Sequence, residues 1–385
     1  MRSPVCDMLG IEFPLVAFSH CRDVVVEVSK AGGMGVLGAA PMHAEELKVN
    51  LDWIDDHIGG KPYGVNLIVP NKYVGKISEE EASSKANAPA PKIDSTAQRV
   101  FVRELLHDHG IDTSDLTDDL MQRKPRIAKN ADFGGYSQTL DIALSHPVKL
   151  LCNSLGVPPA HMIEKAKAHK IPLAALVGKK EHAIAQAEAG VDIIVAVGGE
   201  AGGHCGEVST LVLVPEVCRA LRELGDIPVL AAGGIVTGAQ MAACMAMGAA
   251  GVWTGSVWLT TAEAETSPVV KEKMFAARSS DTVRSRNRSG KPSRQLRSAW
   301  TDAWEAEGAP PALPMPFQTS ISEPAMVKVL KLAEGGHEGA KKLASYYVGQ
   351  GVGMMNQPTT AREVVREFME TFVDASERLQ SLTDF

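Results

Sequence analysis

The sequence predicts a (β/α)8 TIM barrel carrying two additions. Three observations predict it. Eight short apolar runs recur along the chain, each followed by a turn or glycine cluster and then a helical pattern. The runs are nearly continuous in apolar residues, as parallel strands covered on both faces are. The 385 residues exceed the roughly 250 of a bare barrel, and the excess falls in two segments without the strand rhythm.

The expected strands are 13–17, 35–39, 63–68, 148–152, 173–177, 193–197, 229–232 and 251–254. The first is FPLVA, bounded by the helical pattern 24–30. The second, GVLGA, lies inside Gly33-Met-Gly-Val-Leu-Gly38, which formally matches G-x-G-x-x-G. A dinucleotide fingerprint follows a strand and opens a helix. Here the helical pattern comes first, so a helix C-cap running into a strand is the better reading. The third, YGVNLI, places Asn66 at its end. After it, 71–136 interrupts the rhythm with a polar Ala/Pro-rich stretch, read as a flexible surface insertion, and then a short helical part at 97–107. The remaining strands alternate with amphipathic stretches at 159–169, 182–189, 215–224 and 239–247. Beyond the eighth strand, 260–349 reads as a smaller, mainly helical lid. The expected organisation is therefore a barrel over 1–259 with the insertion 71–136, the lid over 260–349, and a C-terminal segment and helix over 350–385 packing back on the barrel.

Hydrophobic residues make up 45% and charged residues 22%, which excludes a mostly disordered chain. Aromatics are only 5% and the net charge is −7, which argues against nucleic acid and anionic lipid as partners. The longest apolar-plus-glycine stretch, 241–253, is shorter than the roughly 20 residues of a membrane span. The N-terminus lacks a signal-peptide core. The six cysteines show neither C-x-x-C nor zinc spacing, so reduced thiols, a cytoplasmic location and no metal are expected.

Two glycine clusters stand where barrels hold phosphates, in the loops after strands seven and eight. They are Gly233-Gly234, leading to the helix from 239, and Gly255-Ser256. Tight turns with no ligand are the alternative. A further cluster, 198–206, follows the sixth strand and contains Glu200 and His204. Two glycines between them argue against a helix, hence against a metal pair. His204 lies at the catalytic face, and an imidazole suits acid–base work near neutral pH. Its alternative is a loop histidine bonded to backbone. Cys205 is adjacent, but sequence neighbours point apart. Arg284, Arg286, Arg288, Lys291, Arg294 and Arg297 form a basic run without acids, read as a solvated loop or interface more than as a phosphate holder.

The chain resembles the nitronate monooxygenase (2-nitropropane dioxygenase-like) family of FMN-dependent TIM-barrel oxidoreductases. The resemblance rests on 32–39, 63–67, 190–206, 231–238 and 248–256, above all on Glu200-Ala-Gly-Gly-His204, and on the tail Val348-Gly-Gln-Gly-Val-Gly353. It implies one non-covalent FMN. Its phosphate would lie on Gly233, Gly234, Gly255 and Ser256, with Ala17, Asn66, Gly202 and Gly203 near the ring system. It implies His204 as base in the flavin oxidation of an alkyl nitronate, with O2 as reoxidant. The chain departs from the family's pattern at Ala17-Phe-Ser-His20, Val197 and Val177-Gly-Lys-Lys180, so His20, Lys179 and Lys180 are expected to reshape the substrate pocket, and Gln350 of the tail motif is expected to line it. The same motif occurs in relatives that use NADH or NADPH, so the alternative is an FMN reductase of an enoyl or acyl thioester or a quinone. A non-enzymatic flavin- or phosphate-binding module is the third reading. Association into a homo-oligomer stays open.

Overall fold

The computed structural model describes residues 1–40, 42–69, 93–123, 125 and 135–383. Eight parallel strands close a barrel: β1 (Leu15–Ser19), β2 (Met34–Gly38), β3 (Tyr63–Leu67), β4 (Leu150–Asn153), β5 (Leu173–Val177), β6 (Ile193–Val197), β8 (Val229–Ala232) and β9 (Gly251–Thr254). Closure comes from β1 against β9, with Val16 opposite Trp253. The expected TIM barrel is therefore the fold. Four strands fall where the sequence places them, β5, β6, β8 and β9. The first begins later than expected, at Leu15, because Pro14 has no N–H for a ladder and the N–H groups of Glu12 and Phe13 both turn to the Gly32 carbonyl, each at 3.0 Å.

Period-two alternation divides each strand between two cores. Leu15, Ala17 and Val65 point outward into the layer between barrel and helices. Val16, Val36, Leu150, Ile193 and Trp253 fill the interior, and Val5 and Leu9 of the N-terminal helix Pro4–Leu9 join them. Gly33–Gly38 is a helix exit and a strand, as read from context. Gly32 takes φ +99° after the helix Arg22–Lys30. A Cβ at Gly35 would lie 2.2 Å from the Val25 carbonyl, so glycine is what lets this helix pack on β2.

The two additions are not separate. The helix Thr96–Asp108, close to the expected 97–107, contributes Val102 and Leu106 to a second core. Trp300, Ile321 and Val329 from the later addition complete it. The polar stretch read as a flexible insertion lies mostly outside the described residues. The helical expectation for 260–349 misses a strand pair, β10 (Thr282–Ser285) and β11 (Ser293–Leu296). This hairpin pairs with a two-residue strand, β7 (Gly203–His204), at the barrel mouth. Hydrophobic alternation cannot show it, because its inward residues Ser285, Ser293 and Gln295 are polar and buried. The closing helix Ala361–Thr383 returns to the barrel. A Cβ on Gly238 would lie 1.7 Å from the Phe368 carbonyl, and the Gly238 N–H donates to Thr371 Oγ1 at 2.9 Å.

Candidate active site

The loop 198–206 is built from close backbone approaches. A Cβ at Gly198 would lie 2.1 Å from Thr210 Oγ1, and one at Gly202 would lie 2.7 Å from the Gly349 nitrogen. Glu200 Oε2 accepts from the Thr210 N–H at 2.8 Å and lies 2.9 Å from its hydroxyl. Thr210 opens the helix Thr210–Arg222, so the carboxylate occupies an N-terminus that favours negative charge. Glu200 therefore caps a helix. Among the described residues no group of three or more His, Cys, Asp or Glu could hold a metal.

The loop after β8 divides its backbone donors in two. Gln240 Oε1 takes the N–H groups of Val236 at 2.8 Å and Thr237 at 3.1 Å, while Gln240 Nε2 donates to the Gly234 carbonyl at 2.9 Å. Among the described residues none accepts from the N–H of Gly233, Gly234 or Gly255. Gly233 and Gly234 take φ +110° and +71°, backbone that favours glycine. A Cβ at Gly255 would meet nothing nearer than the Phe18 ring at 3.9 Å. Free N–H donors on two adjacent loops, with open space beside Gly255, fit a phosphate monoester.

The tail motif holds these loops together. The Gly349 N–H donates to Ser256 Oγ at 2.9 Å, and the Gln350 N–H to the Glu200 carbonyl at 2.9 Å. Gly202 and Ser256 are thus both pinned by the 348–353 segment. Gly203 takes φ +74° with open space where a Cβ would point.

His204 projects from β7 into the barrel mouth. Its Nε2 lies 2.6 Å from Ser289 Oγ, and Ser289 is buried. His204 is exposed to solvent as a residue, while neighbouring protein crowds one side of its ring. Loss of water around it, then the positive charge of Lys291, lowers its pKa to about 4. The imidazole is neutral at pH 7 and can accept a proton. Tyr347 lies beside it with ring centroids 6.4 Å apart, and Arg288 stacks over Tyr347 at 5.1 Å.

The other predicted residues divide. Asn66 points into the barrel top, and its Oδ1 accepts from Ser154 Oγ at 2.7 Å. Its Nδ2 finds no acceptor among the described residues. His20 Nδ1 donates to the Gly38 carbonyl at 2.7 Å, which leaves Nε2 as the free nitrogen. Burial lowers the His20 pKa. The methyl of Ala17 is buried in the outer layer, so only its backbone faces the barrel top. Lys179 is exposed at the N-cap of the helix Lys180–Glu188. The loop carrying it meets the 198–206 loop, since a Cβ at Gly178 would lie 3.4 Å from Gly206. Gln350 joins the site through its backbone. Burial raises the Cys205 thiol, so its neutral form prevails.

Three contributors were not singled out in the sequence, Phe18, Ser289 and Tyr347, and Arg288 was read only as part of the basic run. Phe18 follows Val16 by two and so shares its inward face; its ring stacks on Trp253 at 6.2 Å. That parity could have found it. Ser289, Tyr347 and Arg288 arrive from the later addition, and no local pattern links them to His204.

A model of the nitronate monooxygenase family matches residues 2–371. A Mycobacterium tuberculosis protein named "Putative monooxygenase Rv1533" is 46% identical over 382 residues, covering 99% of each chain. A Staphylococcus aureus protein named "Probable nitronate monooxygenase" is 27% identical, covering 83% of this chain and 86% of its own. Among solved structures, FabK from Thermotoga maritima superposes with a TM-score of 0.71 at 25% identity, covering 99% of both chains. A nitroalkane oxidase from Streptomyces ansochromogenes gives 0.72 at 23% identity, covering 97% of this chain and 99% of its own. These two likenesses are of fold.

Proposed function

The chain belongs to the nitronate monooxygenase family of flavin-dependent oxidoreductases, and from that premise we propose that it binds FMN without a covalent bond and oxidises an alkyl nitronate. The observation that carries this reading is a neutral His204 facing the same barrel mouth as three free backbone N–H groups on glycine loops. Gly233, Gly234, Gly255 and the Ser256 hydroxyl would hold the phosphate. The Asn66 amide and the open side of Gly202 and Gly203 would border the ring. A bound flavin supplies reversible two-electron acceptance, with O2 as the final acceptor.

The protein's own part is binding and proton handling. The free nitrogen lone pair of His204 would take the α-proton of a neutral nitroalkane, which yields the nitronate, or the ring would orient a nitronate that arrives already formed. Ser289 fixes the plane of that ring. Glu200, through Thr210, and Gly349, through Ser256, keep the two phosphate loops in register. Aerobic turnover tests this reading. The purified protein should release FMN on denaturation and consume O2 with ethyl nitronate in the absence of nicotinamide. A protein that takes up no flavin would sink it.

One observation supports a second reading, NADH- or NADPH-dependent reduction of an acyl thioester or quinone. Arg286, Arg288 and Lys291 have no carboxylate partner among the described residues, so a phosphorylated donor would meet free cations. Rapid anaerobic bleaching by either nicotinamide would favour it.

A further inference from the structure

The hairpin of β10 and β11 has two edges. At the inner one β11 joins β7, where Ser293 lies opposite His204. β10 is the outer edge of that sheet, and a cleft of about 360 Å³ opens beside it. Its lining comes chiefly from 284–287 of the hairpin and from Trp304, Glu305 and 309–312. Neither His204 nor Ser289 lines it, and no glycine of the phosphate loops does. The volume suits a small molecule. The walls are tied in place. Gln318, fully buried, accepts the Leu313 N–H at 2.9 Å and donates to the Asn287 carbonyl at 2.8 Å. Gln98 Nε2 donates to the Pro311 carbonyl at 2.9 Å.

Three lining residues carry a donor that is shielded from solvent and has no acceptor among the described residues: Arg284 Nε, Asn287 Nδ2 and Trp304 Nε1. No buried acceptor of the lining is orphaned in the same way. Asn287 and Trp304 are only 2% and 7% exposed, so water does not stand in for the partner. Buried donors normally find an acceptor, because their desolvation otherwise goes uncompensated. Turning the Asn287 amide over does not remove the orphan. Trp300 Nε1 can only donate, and it meets Asn287 Oδ1 at 3.3 Å, which fixes Nδ2 on the other branch.

The charges of the lining are mixed. Arg284 pairs with Glu207 at 3.3 Å. Arg286 and Glu305 remain, one cation and one anion, both exposed and without an ionic partner among the described residues. A ligand of a single sign would face one like charge, whereas a ligand carrying both signs meets both. The 309–312 segment adds an apolar surface of alanine and proline.

We propose that this cleft is a second ligand site, separate from the barrel mouth, and that it takes a free amino acid with an apolar side chain. The carboxylate would meet Arg286 and the orphaned donors, the ammonium would meet Glu305, and the side chain would lie on the 309–312 segment. The site does not rest on the flavin reading.

Calorimetric titration of the full-length protein tests this with L-leucine and its two single-charge analogues, 4-methylpentanoate and 3-methylbutylamine. The expected result is one L-leucine per chain, with each analogue bound at least about tenfold more weakly, the scale of one lost charge-assisted hydrogen bond. Arg286→Gln and Glu305→Gln change exposed residues, and each should weaken L-leucine by about tenfold or more. No binding heat at concentrations on the order of 10 mM, an analogue that binds as tightly as L-leucine, or an unchanged affinity in either variant overturns the proposal. Should a variant misfold, the comparison of L-leucine with its analogues on the parent protein decides alone.

Discussion

At the scale of single residues the proposed chemistry rests on His204 and its hydrogen-bond partner Ser289. A pKa lowered to about 4 means that the ring gains a proton only as pH falls towards that value. The reductive rate should therefore be level around neutrality and decline on the acid side, because the protonated ring has no lone pair to offer. A decline on the alkaline side alone would contradict this assignment. His204→Asn should retain flavin and slow the proton-dependent step by about 10²–10⁴-fold; stopped-flow reduction reads the loss, and an unchanged rate removes His204 from the chemistry. Ser289→Ala removes one hydrogen bond to the ring, so a milder loss of about tenfold in the same step is expected. His204 and the glycines at 233, 234 and 255 could be named as candidates because their signal is local: a histidine or a glycine just past a strand end. Ser289 was not, because its partner lies 85 positions away and a serine in a basic loop carries no signal of its own.

Elements carry the site through three contacts: the tail on the 198–206 loop, the tail on Ser256, and the hairpin on β7. The first depends on two glycines facing each other. A Cβ on Gly349 would lie 2.6 Å from the Glu200 carbonyl, so Gly349→Val forces the loops apart. It should cost about 1–3 kcal/mol and release flavin, seen as a lower melting temperature and free flavin fluorescence. The hairpin depends on Asn287. Its Oδ1 accepts from Gln295 Nε2 at 3.0 Å and Trp300 Nε1 at 3.3 Å, and its carbonyl from Gln318 Nε2 at 2.8 Å. Asn287→Ala strands two buried donors and should destabilise by about 2–5 kcal/mol, lowering turnover while the phosphate loops still hold flavin. Intact turnover in a fully folded variant would disconnect the hairpin from the site. Barrel strands were readable because apolar runs and their spacing determine them. The hairpin was hidden because buried polar pairs, not apolar alternation, hold it.

The whole molecule is a barrel with one composite cover. The helix Thr96–Asp108 and the region beyond β9 lie far apart in sequence, yet they share one core around Trp300 and Val329. That junction is non-local and left no trace in either segment, whereas the barrel repeats a local unit and was readable throughout. The cover brings Ser289 to His204, with Tyr347 and Arg288 beside them; on the proposed reading substrate choice would belong to the cover and flavin binding to the barrel. Family membership and the barrel agree with a flavin oxidoreductase; the nitronate chemistry is the step to be measured. The most direct test is anaerobic mixing of the oxidised flavoprotein with an alkyl nitronate, with NADH and with NADPH in parallel. Bleaching of the flavin by the nitronate alone, slowed in His204→Asn, is the predicted result. Bleaching by a nicotinamide with none by nitronate would contradict it.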